Sequence, residues 1–237
     1  MTMTAAPDPL AEGLWTLEGR FTTMGLPISS RTTLVRLADG SLAVVNPGPL
    51  PAAAERAVAA LGRPAVLFCP NRFHHLFAAD WKRAWPQARL WAAPGLAEKE
   101  PALPVDAVLG RDAPGPWAAE LEPLPIDGMP RLAEWWFFHA ASETLVVTDV
   151  LARVGPRQPW FLRLWAGLNG SRGGRLAVPR WLRAVLLKDR AAAGRSMAVA
   201  LARRPRRLVV AHGDPLGDEA AAEVRAALDG FPLGDGS

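Results

Sequence analysis

The chain holds four histidines, and three of them stand just past short apolar runs. His74 and His75 follow Ala65-Val66-Leu67-Phe68-Cys69-Pro70, and His212 follows Leu208-Val209-Val210-Ala211. Asp149 follows Leu145-Val146-Val147-Thr148. Imidazole nitrogens and a carboxylate are the donors that zinc and similar divalent ions take, and three or four of them make a site. The candidate metal ligands are therefore His74, His75, Asp149 and His212. Adjacent histidines at a helix start point in different directions, so one of the pair suffices for a metal and the other can orient it or a substrate. The plainer alternatives are hydrogen-bonded structural histidines and a turn-capping aspartate.

Those residues need elements to carry them. Each apolar run reads as a short buried strand, so each polar residue emerges where a strand gives way to a loop. That is where α/β folds build sites. Strands are expected near 14–17, 28–37, 42–45, 65–69, 89–92, 117–124, 134–139, 144–148 and 207–211. Helices are expected over 51–61, 79–85, 191–203 and 216–228, with loop over 101–116 and a frayed end over 231–237. Ala38-Asp39-Gly40-Ser41 reads as a hairpin turn, and Asn46-Pro47-Gly48-Pro49 as a sharp stop. Mixed strands interleaved with helices suit a layered α/β sandwich with helices outside.

If 134–139 and 144–149 pair as a hairpin, His139 lies opposite Thr144, and Asp149 lies opposite Glu134. Five strand residues then separate His139 from Asp149 by roughly 16 Å. His139 is accordingly assigned a structural role. Glu134 joins Asp149 and His74 as a candidate catalytic group, because two close carboxylates bind a cation or share a proton.

Composition narrows the classes. Half of the 237 residues are apolar, enough for a full core. The lone cysteine, Cys69, has no internal partner and reads as a small buried hydrophobe, which fits a reducing, cytoplasmic compartment. Residues 1–13 lack the apolar core of a signal peptide, and no run of 18 uncharged apolar residues predicts a spanning helix. The net charge of +4 is unevenly spread: residues 151–213 hold 13 arginines and one lysine against one aspartate, while the flanking segments are net acidic. Such a block favours anions, so a small anionic substrate or ligand is the expected partner, with no nucleic acid expected. The plainer reading is a solvated arginine-rich face.

Within that block, residues 160–168 and 178–188 combine tryptophans, leucines and arginines at helical spacing. Such helices either lie on a membrane surface or pack on their own domain with arginine stems covering the edge. Packing is the expected outcome.

Several pieces together resemble a known family. They are Pro70-Asn71 with His74-His75-Leu76-Phe77, Trp91 with Pro94-Gly95-Leu96, Glu134 through Asp149, and Ala211-His212-Gly213. The chain resembles the domain of unknown function 4336 family, an outlying branch of the metallo-β-lactamase superfamily. The resemblance implies an αββα sandwich with a site at one edge of two sheets, in one domain over 1–237 with 151–206 as a basic helical insertion. The superfamily's first motif, His-x-His-x-Asp-His, aligned on His75, meets Pro70, Arg72, His74 and His75. The histidine of the superfamily's third station, expected shortly before strand 134–139, would fall near Asp127-Gly128, where there is none. Asp149 and His212 match the last two stations. The resemblance thus implies a metallo-β-lactamase-like hydrolase with at most one zinc, or none. The rival is a non-catalytic relative that binds an anionic ligand or partner through 151–213.

Overall fold

The computed structural model describes residues 2–3, 6–23, 25–155, 158 and 160–233. The chain divides into two compact units, Met1–Glu122 and Pro123–Ser237.

The first unit is built on one mixed sheet. Its strands are β1 (Thr2–Met3), β2 (Asp8–Ala11), β3 (Leu14–Thr23), β4 (Leu26–Arg36), β5 (Leu42–Val45), β6 (Pro64–Cys69), β7 (Arg89–Ala92) and β8 (Ala107–Val108). They run β1-β3-β4-β5-β6-β7-β8, with β2 also on β3. The early strands pair antiparallel, and β5 through β8 pair parallel. Parallel neighbours need crossovers. These are α1 (Ala52–Leu61), α2 (Ala78–Ala84) and the short α3 (Leu96–Lys99). Leu17, Leu34, Val44, Val58, Leu67, Trp81 and Leu90 fill the core. Cys69 is buried there, and burial pushes its thiol up to about 12. It is the buried hydrophobe expected.

The second unit carries a four-stranded sheet in the order β12-β11-β10-β9. Its members are β9 (Leu121–Pro125), β10 (Trp135–His139), β11 (Thr144–Val147) and β12 (Arg207–Val210). β10 and β11 form the expected hairpin, with His139 opposite Thr144. β11 and β12 are parallel and in register from Thr144↔Arg207 to Val147↔Val210. The arginine-rich segment between them is therefore their crossover. It holds α4 (Trp160–Leu168), α5 (Arg180–Val185) and α6 (Arg190–Leu201). Asp189 caps α6 by accepting from Ala192 N at 2.9 Å. α7 (Ala220–Ala227) closes the unit. Trp136, Leu145, Val147, Met197, Leu208, Val210 and Val224 lie in its core. Among the described residues, no helix is long and apolar enough to cross a membrane.

Several elements differ from the sequence expectation: β1, β2 and α3 are additional, β3 runs on to Thr23, and β8 lies within the expected loop 101–116. Residues 117–124 are not one strand: Pro116–Ala119 is a 3-10 turn, and β9 begins at Leu121. Trp117 sits edge-on against both Phe68 and Trp91, which holds it in the core rather than in a ladder. The last helix begins at Ala220 rather than 216, because Leu216 forms an antiparallel bridge with Leu208. Of the expected frayed end, residues 234–237 lie outside those described, while Phe231 is not frayed: it is buried in the core of the second unit, and its N donates to Leu228 O at 2.9 Å.

Candidate metal centre

Parallel pairing positions the first two candidates. β11 and β12 are offset by 63 residues at every rung, as in Val147↔Val210. Asp149 and His212 keep that offset two residues beyond the last rung, so they leave the sheet side by side. Asp149 Oδ1 lies 3.3 Å from His212 Nε2, and both side chains remain partly open to solvent.

The backbone around the pair is fixed. The Glu134 carboxylate is fully buried and accepts from Thr148 N at 3.2 Å, Asp149 N at 2.9 Å and Val150 N at 3.2 Å. Trp136 Nε1 donates to it at 2.9 Å. Glu134 thus ties down the turn that carries Asp149. Burial first, and the Asp149 charge second, hold its carboxyl above the ordinary range. On the other side, Arg153 N donates to His212 O at 3.1 Å. Gly213 follows with φ 143°, and a Cβ there would collide with Arg153 O. Only glycine admits that approach.

His74 and His75 belong to the first unit. Asn71 Oδ1 accepts from Phe73 N at 2.8 Å and His74 N at 2.9 Å, shaping the turn after β6. His74 Nδ1 lies 2.8 Å from Asn46 Oδ1. The Asn46 amide has only one orientation available, because its Nδ2 donates to Ser30 Oγ at 3.0 Å and to the Arg31 carbonyl at 2.9 Å. Its oxygen must therefore accept, and His74 Nδ1 must carry the proton. In the neutral ring the lone pair then sits on Nε2, the nitrogen left to a metal. Asn46 itself adopts φ 58° at the end of β5. In the sequence Asn46 reads only as part of a strand stop. The available signal was an asparagine, a residue that tolerates left-handed backbone, between a buried strand and Pro47.

His75 turns elsewhere. Its Nε2 lies 3.3 Å from Lys99 Nζ and 3.6 Å from Glu100 Oε1. Burial first, then the Lys99 charge, hold its imidazole below the ordinary range.

His139 stands at the other end of the hairpin from the Asp149 turn. It is buried, with Nδ1 2.7 Å from Ser142 Oγ, which lies 2.7 Å from Thr144 Oγ1. His139→Ala is expected to lower stability by about 1–2 kcal/mol through the orphaned hydroxyls. Metal content should stay unchanged. Thermal melting with elemental analysis checks both; a loss of metal at unchanged melting temperature would contradict the structural role.

The profile of the family described as domain of unknown function (DUF4336) matches residues 11–178. His212 lies beyond that segment, so its assignment rests on its register with Asp149. No curated protein matches the sequence. Solved structures do match in fold. A metallo-β-lactamase from Erythrobacter litoralis is 17% identical with a TM-score of 0.61, over 97% of this chain and 94% of that one. The DIM-1 metallo-β-lactamase exposed to ceftazidime is 14% identical with a TM-score of 0.64, over 94% and 95%. The FIM-1 enzyme from Pseudomonas aeruginosa, in its mono-zinc form, is 10% identical with a TM-score of 0.61, over 94% of each chain.

Proposed function

Since the chain belongs to the DUF4336 family and has the metallo-β-lactamase fold, we propose that it is a metal-dependent hydrolase. Its altered site takes one divalent ion, zinc being the first candidate. Asp149 and His212 are the proposed ligands in the second unit, with His74 of the first unit proposed from the sequence as the third. The observation that carries this reading is the Asp149–His212 pair. Zinc–nitrogen and zinc–oxygen bonds of roughly 2.0–2.1 Å place neighbouring tetrahedral donors about 3.3 Å apart. Oδ1 and Nε2 stand 3.3 Å apart. The tautomer of His74 set by Asn46 supports its part in the set. The ring contacts of His75 with Lys99 and Glu100 leave it a supporting role beside the ligands.

An ion held there would supply Lewis-acid chemistry toward an ester, amide or phosphate-like bond. The chain's own contribution is positional. Glu134 is assigned to hold the Asp149 turn rather than to touch substrate. Asn46 keeps the proton of His74 on Nδ1. Asp149 is assigned a second role, in which the carboxylate oxygen not given to the ion takes up a proton.

The test is elemental analysis of the whole chain purified without a histidine tag. One equivalent of a divalent metal is expected, and chelation should lower the melting temperature. Absence of metal, with no thermal shift on zinc titration, would overturn the reading. If anions instead raised the melting temperature, the rival function as an anion-binding relative acting through 151–213 would stand.

A further inference from the structure

The expectation of inward packing holds for α5, whose Leu182 lies in the core with Val178 and Leu186, but it does not describe α4. α4 buries only Ala166. Trp160 is 73%, Leu168 66% and Leu164 58% exposed, and Trp165 is also open. At about 100° per residue these four fall within an arc of roughly 140° opposite Ala166. The helix therefore turns its apolar stripe to solvent. α5 continues the feature with exposed Trp181 and Val185. Trp181 N donates to Asn169 Oδ1, and Arg180 N to Asn169 O, each at 3.1 Å, which ties the start of α5 to the end of α4.

Exposed tryptophan and leucine at this density mark a surface that meets something. Charge identifies what. Between Asp149 and Asp189 the sequence contains no acidic residue, while Arg163, Arg172, Arg180 and Arg183 lie in or beside the two helices. A second copy of this chain would bring like charge against like charge. The leucines have no use on a phosphate backbone.

A groove of about 780 Å³ beside α4 is lined by Trp160, Leu164, Leu168, Arg163 and Arg172. Its floor is held by Ser171, whose hydroxyl accepts from Val154 N at 3.1 Å and donates to Arg175 O at 2.7 Å. Apolar residues that enter the acyl boundary, tryptophans at its edge and arginines at headgroup level are the parts of an interfacial helix.

We propose that the α4–α5 face docks this protein on an anionic lipid bilayer, with a lipid headgroup received beside Arg163 and Arg172. The test is flotation of the whole chain with phosphatidylcholine vesicles and with vesicles in which a quarter of the lipid is phosphatidylglycerol. Binding is expected only to the anionic vesicles and should weaken as salt rises. Brominated acyl chains should quench tryptophan emission. Leu164→Ser with Leu168→Ser should reduce partitioning at least tenfold, since each leucine loses its burial in the acyl boundary. Arg163→Glu with Arg172→Glu should reduce it more than tenfold, because each basic residue near an anionic surface changes partitioning about fivefold. All four side chains sit at the surface, and circular dichroism confirms that the variants fold. Three results would each overturn the proposal: no binding to anionic vesicles, equal binding by wild type and variants, or a dimer or oligonucleotide complex lost in the leucine variant without vesicle binding.

Discussion

His212→Ala is expected to empty the protein of metal while leaving it folded. The main chain at 212 keeps its bond to Arg153 N, and the lost ring is partly solvent-facing. Removing one of three proposed ligands should weaken affinity by more than the roughly 10–100-fold that loss of an outer partner costs. Asp149→Ala should do the same. Asn46→Ala should fall within that outer-partner range, because it frees the His74 ring to rotate and to change tautomer. His75→Ala should retain the metal. Competition against a chelator, followed by elemental analysis and melting, separates these outcomes. Full metal content in the His212→Ala protein would remove the register-based site.

The largest loss of stability is expected from Glu134→Ala. One buried carboxylate satisfies three successive main-chain amides and the Trp136 indole. Deleting it orphans four donors in the interior of the second unit. Each such group costs about 1–3 kcal/mol, and relaxation around the turn should bring the total to about 3–5 kcal/mol. Glu134→Gln keeps one carbonyl oxygen and the side chain's shape. It also removes the need to bury a charge, which burial and Asp149 already resist. Its cost should stay below about 1.5 kcal/mol. Urea unfolding of both variants provides the comparison, and metal affinity should drop in the alanine variant as the Asp149 turn loosens. A Glu134→Ala protein within about 1 kcal/mol of wild type would show that the turn is held by other means.

Much of the candidate site was legible in the residues. Apolar runs end at Cys69, Val147 and Val210, so His74, Asp149 and His212 had to emerge beyond strands. The short hairpin around 140–143 forced His139 opposite Thr144 and away from Asp149, because alternation and loop length leave a two-strand register little freedom. The role of Cys69 followed from its place inside a strand.

Other features needed the tertiary structure. β11 and β12 pair across a crossover of about sixty residues, and a connection that long imposes no register. That Asp149 and His212 stand on matching rungs is decided by packing alone. Glu134 could be placed near Asp149 from the sequence, but its acceptance of three amides depends on the path of the turn. Asn46 acquired its bearing on His74 only when β4, β5 and the turn after β6 met around its amide. His75 turned toward Lys99 and Glu100 through a loop and a one-turn helix that periodicity cannot position. The stripe on α4 shows the same limit. Helical spacing reveals that one face is apolar, but an inward-packed and an outward-facing stripe have the same spacing, and only the neighbouring atoms decide which face is covered.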